Sequence, residues 1–203
     1  MINKYFHKAL KSKLADCLEF VTESHNRQED NLSGIEDELS LEFYKQLINL
    51  DFSLDYGVIS TYSIFDYFFQ HFCIEIEKVS DKKLVEQKGN NDNDKRRKFI
   101  KNVTGFDIIK TIVQWKFIEE YRKIRNLKIH NNSNLYIGNP ELKKNPNKRV
   151  IELIDIVKLN PFLSYDKDSG KVYVNNLRYI KDFIDSVVIF FEKLDCDEIN
   201  DRM

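Results

Sequence analysis

The stretch Val58-Ile59-Ser60-Thr61-Tyr62-Ser63-Ile64-Phe65-Asp66-Tyr67-Phe68-Phe69-Gln70-His71-Phe72-Cys73-Ile74-Glu75-Ile76 decides the fold class. Over residues 57–79 apolar side chains fall nearly all round a helical wheel, and such a helix is central and buried on most sides. Its polar members Ser63, Asp66 and Gln70 keep to one narrow stripe by three- and four-residue spacing. A carboxylate on a helix this apolar needs a partner.

The segments on either side also read as helices. Residues 3–22 carry Phe6, Leu10, Leu14, Cys17 and Val21 as one apolar stripe. Ser33-Gly34-Ile35-Glu36 reads as a capping box opening a second helix, with Ile35, Leu39, Phe43, Leu47 and Leu50 inward. Residues 86–94 are rich in turn formers and read as a loop, after which Asp94 caps a short basic helix over 95–103. A further helix starts near Asp107 and turns Ile108, Ile109, Ile112, Val113, Phe117, Ile118, Tyr121 and Ile124 inward. Residues 131–149, with Pro140 and Pro146 among many Asn, read as an exposed loop. Val150–Leu159, Phe162–Tyr165 and Val172–Val174 then alternate around Asp166–Gly170 like a small hairpin. Asn175 and Asn176 cap a last helix with Leu177, Ile180, Ile184, Val187, Val188, Phe191 and Leu194 inward. The expectation is an all-α bundle of five or six helices with a small β-hairpin insertion. A single domain spans 1–203, and its 131–175 loop and hairpin precede the last helix.

Composition narrows the function classes. Only 6 Gly and 3 Pro against 42% hydrophobic residues predict a compact, element-rich chain. A formal net charge of −1 means that any nucleic-acid site must be local rather than a property of the whole surface. Cys17, Cys73 and Cys196 are odd in number and widely spaced, which argues against a disulfide framework or a zinc site and fits a reducing compartment. No apolar run approaches 18 residues and the N-terminus lacks a signal-peptide core, so a cytoplasmic protein without a membrane span is expected. No phosphate loop, metal-ligand spacing or Ser/Cys nucleophile motif is present, and neither metal nor cofactor is implied.

The chemistry concentrates in Tyr121-Arg122-Lys123-Ile124-Arg125-Asn126-Leu127-Lys128-Ile129-His130-Asn131-Asn132. A fixed cation, an amide and the side chain that titrates near neutrality fall within one and a half helical turns. Asn126 and His130 are spaced i,i+4 and can hydrogen-bond one another. Arg125 and His130 lie roughly 140° apart on an ideal helix and converge on one ligand only where the helix frays or ends. The run Asn131-Asn132-Ser133-Asn134 supplies such an end. At this composition, Arg-Asn-x-x-x-His arises by chance about once or twice in a hundred chains. The same residues also fit a helix C-terminus with basic side chains near its negative end.

At Arg125–His130 the chain resembles the HEPN superfamily, all-helical proteins whose hallmark is an Arg-x4–6-His motif, often with Asn after the Arg, near the end of a core helix. Many members are metal-independent ribonucleases in toxin–antitoxin and antiviral defence systems, and others only bind nucleotides or act as scaffolds. The resemblance implies an endoribonuclease that cleaves by 2′-OH attack, leaving a 2′,3′-cyclic phosphate and a 5′-OH. Arg125, Asn126 and His130 would be catalytic and Lys128 and Asn131 would contact substrate. The partners it implies are RNA, a second copy of the chain in a homodimer, and a cognate antitoxin or defence-system protein. The competing expectation is a non-catalytic nucleotide- or RNA-binding or helical interaction module. Family members paired with a nucleotidyltransferase carry Tyr two positions after the His. Asn132 stands there in this chain, so regulation through that tyrosine is not implied.

Two further expectations concern support. Asp66 is expected either to brace the Arg125 guanidinium from behind or, with Ser63 and Gln70, simply to face water. The clusters Lys95-Arg96-Arg97-Lys98 with Lys101, and Lys143-Lys144 with Lys148-Arg149, are candidate phosphate contacts or solvated faces.

Overall fold

Seven α-helices and one two-stranded antiparallel hairpin make up most of the regular structure of residues 4–195, the residues described by the computed structural model. In chain order these are α1 (Lys4–Ser33), α2 (Leu41–Lys78), α3 (Asp92–Thr104), α4 (Ile108–Thr111), α5 (Gln114–Asn131), α6 (Lys148–Leu159), β1 (Leu163–Tyr165), β2 (Val172–Val174) and α7 (Arg178–Leu194). Short 3₁₀ turns occur at Leu84–Glu86 and Pro140–Lys143. Helix accounts for 72% of the chain, and the fold is an all-α bundle with a small β-hairpin.

The chain divides into two compact units. The first comprises the described parts of Met1–Leu14, Ser63–Glu119 and Ile184–Met203. Its core is aromatic: Phe65 stacks on Phe69 at 5.5 Å, Phe69 meets Phe190 edge-on at 5.3 Å, and Trp115 stacks on Phe190 at 5.7 Å. Arg96 is buried in this unit, its Nη1 donating to Asp66 Oδ1 at 2.5 Å and its Nε to Gln70 Oε1 at 2.9 Å. The polar stripe read on the central helix is therefore the seat of an arginine.

The second unit comprises Ala15–Tyr62 and Glu120–Phe183. Its core includes Val21, Leu54, Val58, Tyr121, Ile124, Leu127, Tyr179, Ile180 and Phe183. The hairpin belongs here, with Leu163 opposite Val174 and Tyr165 opposite Val172. Its turn is closed by Asp166, whose Oδ1 accepts from the backbone N–H groups of Asp168 and Ser169, and by Gly170 at φ 77°. A Cβ on Gly170 would come within 2.4 Å of the Tyr136 ring, so this position needs glycine twice over.

Several boundaries differ from the sequence reading. The first helix, expected over 3–22, runs to Ser33; Asn3 lies outside the described residues. Ser33 therefore ends α1 instead of capping the next helix. The cap belongs to Ser40, whose Oγ accepts from Phe43 N at 3.1 Å. Leu39 and Leu47, expected inward, are exposed. Leu41–Lys78 is one helix through both segments read separately. The cap of α3 is Asn91, whose side chain accepts from Asp94 N, not Asp94 itself. The helix expected from Asp107 is broken at Ile112, which is extended at φ −110°, and Val113 and Ile109 are exposed. The run Ile108-Ile109-Lys110-Thr111-Ile112-Val113 is almost wholly β-branched, which disfavours continued helix. Val150–Leu159, read as alternating strand, belongs to helix α6, which begins at Lys148. Its buried residues Val150, Leu153, Ile156 and Val157 sit at helical spacing, and Asn147 caps it by accepting from Val150 N. β-Branched content suggested strand there, but the cap and the three-to-four-residue spacing prevail.

Among the described residues, no helix is long and apolar enough to cross a membrane. Cys17 and Cys73 are free thiols, and Cys196 lies outside the described residues.

Candidate functional site

Helix α5 is set by its inward face. Tyr121, Ile124 and Leu127 are fully buried. The Tyr121 hydroxyl shares a 2.9 Å hydrogen bond with that of Thr61, and its ring stacks on Phe183 at 3.7 Å and on Tyr179 at 4.8 Å. Burial drives the Tyr121 hydroxyl far above the usual phenol range, which keeps it a neutral hydrogen-bonding group. With that face fixed, Arg125 and Asn126 are half-buried and His130 is exposed in the last turn.

Arg125 is held in two ways. Its Nη1 donates to Asn126 Oδ1 at 3.0 Å, and its guanidinium carbon lies 5.4 Å from the Tyr62 ring centroid, within cation–π range. Its Nε is buried with no hydrogen-bond partner among the described residues. Asn126 thus orients the guanidinium, whereas the sequence left it free to orient His130. His130 makes no side-chain hydrogen bond among the described residues.

The end of α5 is tied down by long-range contacts. Asn132 and Ser133 both adopt left-handed backbone, at φ 47° and 61°, and Ser133 N closes back on Leu127 O at 3.2 Å. Beyond the turn, Val172 N donates to Ser133 O at 2.8 Å and Leu135 N to Gly170 O at 2.9 Å, so the exit strand pairs with the hairpin. The helix therefore continues through His130 to Asn131 without fraying, and the roughly 140° separation of Arg125 from His130 along it persists.

Lys128 is not a surface contact. Its side chain is 1% exposed and forms an ion pair with Asp55, whose other oxygen accepts from Ser133 Oγ at 2.8 Å. Burial lowers the Lys128 pKa, against the opposing pull of Asp55. The substrate role expected of Lys128 gives way to a structural one, because i+3 from Arg125 falls on the packed side of the helix. Asn131, the last residue of α5, is half-buried, and its carbonyl accepts from Asn134 N at 2.8 Å. Asp66, expected behind Arg125, is instead engaged by Arg96.

The basic run of α3 is neutralised locally. Arg97 and Lys98 pair with Asp94 at 2.5 and 3.0 Å, Lys95 with Asp92 at 3.2 Å, and Lys101 with Asp107 at 2.7 Å. Burial would raise the Asp94 pKa, but the bonds from Arg97 and Lys98 hold it at about 2. In the second cluster Lys143 pairs with Asp168 at 2.9 Å.

Two features went unread in the sequence. Tyr62 reads in the sequence only as part of the apolar central helix, and nothing local links it to Arg125. A cleft of about 370 Å³, lined among others by Asp51, Phe52, Asn132 and Lys171, opens just past His130 and joins segments distant in sequence. Among the described residues, no group of three or more His, Cys, Asp and Glu is placed to hold a metal ion. No family model, curated protein or solved structure matches the chain.

Proposed function

We propose that the chain is a metal-independent endoribonuclease of HEPN type, acting as a toxin or phage-defence effector in the cytoplasm. The observation that carries the reading is the oriented Arg125 guanidinium, braced by Asn126 and Tyr62, about one and a half helical turns from an exposed and unencumbered His130.

RNA carries its own nucleophile, so the protein needs only to move protons and offset charge. His130 takes the proton from the 2′-OH as its oxygen attacks phosphorus. The P–O5′ bond breaks, leaving a 2′,3′-cyclic phosphate, and the departing 5′-oxygen takes a proton from a second, protonated His130 to become a 5′-OH. Arg125 offsets charge building on the non-bridging oxygens, with Nη2 making no hydrogen bond to the described residues.

The active form in this reading is a homodimer. One His130 cannot be base and acid at once, and one copy of α5 turns Arg125 and His130 roughly 140° apart. Two copies facing across a two-fold axis bring both His130 side chains to a single phosphate, one as base and one as acid, with Arg125 beside them. A cognate antitoxin or defence-system protein is a further partner consistent with this role.

The second reading is a non-catalytic nucleotide- or RNA-binding or helical interaction module. It is favoured by the lack, among the described residues, of any side chain that orients the His130 imidazole.

The test is incubation of purified protein with end-labelled RNA in EDTA, beside His130→Ala and Arg125→Ala. Cleavage that persists in EDTA and is lost in both variants supports the enzyme. Cleavage that requires divalent metal, or that survives in His130→Ala, overturns it. Mixing His130→Ala with wild type should then depress activity more steeply than dilution alone.

A further inference from the structure

We propose that the cleft beside His130 is a subsite for one nucleobase of the RNA, and that it takes an amino-bearing base in preference to uracil. The inference rests on the ribonuclease reading and says where a base of that substrate is held.

Position comes first. Asn132 lines the cleft and follows His130 by two residues, so its Cα lies within about 8 Å of that of His130. A nucleotide whose phosphate reaches His130 therefore has its base within reach of the cleft. The volume, about 370 Å³, falls at the small end of the range typical of small-molecule sites.

The apolar lining is left uncovered. Phe52 is 62% exposed, and Ile48 and Ile137 are each 51% exposed, although all three border one concavity. Large side chains that face a cleft and not the core offer a base two things, an aromatic face for stacking and an apolar floor. Stacking of this kind is indifferent to base identity.

Discrimination falls to the polar edge. Lys171 holds Asp51 Oδ2 at 3.0 Å and is itself steadied 4.8 Å from the Tyr173 ring centroid. Asp51 Oδ1 makes no hydrogen bond among the described residues. An ionised carboxylate only accepts, so it pairs with the exocyclic amino group of adenine, cytosine or guanine, whereas uracil offers it only N3–H, flanked by two carbonyl oxygens that it repels. The exposed amide of Asn132 adds a donor and an acceptor beside it. Asn132 and Ser133 are both left-handed here, and strained backbone of this kind clusters at ligand sites.

The experiment uses the full chain carrying His130→Ala, which blocks cleavage, and fluorescence anisotropy with labelled oligo(rA), oligo(rC) and oligo(rU) of equal length. Expected is tighter binding of oligo(rA) and oligo(rC) than oligo(rU), by about tenfold. Adding Phe52→Ala should weaken all three by about tenfold, the order expected of one base–aromatic stack. Phe52→Leu, which keeps apolar volume but no π face, should lose a smaller part of this. Tyr56→Ala, at an exposed aromatic on the same helix outside the cleft, should change nothing. Asp51→Asn should collapse the difference between oligo(rC) and oligo(rU). RNA cleavage by the wild type together with unchanged affinity in both Phe52 variants overturns the subsite and leaves the ribonuclease reading standing. No base preference, or a preference that survives Asp51→Asn, overturns the specificity. Absence of both binding and cleavage of RNA removes the ribonuclease reading and the subsite with it.

Discussion

The Arg125 guanidinium is held by the residue that follows it in the chain, Nη1 donating to Asn126 Oδ1 at 3.0 Å. Consecutive helical side chains diverge by about 100°, so the bond exists because the long arginine side chain folds back toward its neighbour. On the ribonuclease reading, Asn126→Ala should lower kcat about tenfold, less than the roughly 10²–10³ that outright removal of a charge-stabilising donor costs, with a smaller change in KM and no change in thermal stability. The pH profile separates the two roles an asparagine can play here. A shift in its histidine limb would mean that Asn126 acts on His130 instead, and would sink this assignment.

Lys128 belongs to the architecture. Removing one member of a buried ion pair leaves the other without its counter-charge, so Lys128→Ala should lose about 3 kcal/mol of unfolding free energy in urea titration. RNA affinity, measured below the transition on folded protein, should stay as in the wild type. A stable Lys128→Ala protein with weakened RNA binding would restore the contact role.

Gly170 and Gly138 share left-handed backbone, at φ 77° and 74°, but not surroundings. An alanine at 138 meets nothing within 4 Å, so Gly138→Ala should cost only the conformational term, about 1–2 kcal/mol. At 170 the added methyl runs into Tyr136, and Gly170→Ala should cost about 1 kcal/mol or more beyond that. Equal melting temperatures for the two variants would refute the steric part.

Asp94 makes stability depend on acid. Its folded-state pKa, about 2, lies below the ordinary value of 3.8, so the unfolded chain binds more protons between those limits. Its contribution is complete above about pH 5 and is lost as pH falls through 2. Unfolding free energy measured from pH 5 to pH 2 should fall less steeply in Asp94→Asn than in the wild type. Parallel curves would show that Arg97 and Lys98 do not stabilise the ionised carboxylate.

Periodicity carried the class of fold because burial repeats along a helix whatever the partner. That is why Val58, Phe65, Phe69 and Phe72 were legible as core before any neighbour was known. The hairpin turn was legible for the same local reason, since Asp166 and Gly170 satisfy it from within. Val150–Leu159 was misread because β-branched residues are compatible with both helix and strand, and the Asn147 cap together with the spacing of Val150, Leu153, Ile156 and Val157 decides between them. At the site, the spacing of Arg125, Asn126 and His130 was visible but the choice among their hydrogen bonds was not. Tyr62 is far from Arg125 along the chain, and no local pattern pairs an aromatic ring with a distant guanidinium. Asp66 failed as a brace for the opposite reason. Arg96 was read only as one of four adjacent cations, and nothing in such a run marks the member that is buried.

The sealing of α5 by Asp55 has a consequence in time. Ser133 and Lys128 reach Asp55 across sequence separations of 78 and 73 residues, so the turn that follows His130 is completed by a contact far from it along the chain. Contacts of that separation close late, after local helices have formed, because a long loop must be drawn in first. During synthesis the arginine, the asparagine and the histidine emerge within a few residues of one another, yet the hairpin strand that pairs with the helix exit emerges some forty residues later. The arrangement is a form of delayed assembly. A nascent or truncated chain ending before Val172 carries every residue of the motif and its Asp55 contacts but lacks the hairpin pairing that closes over the end of its helix.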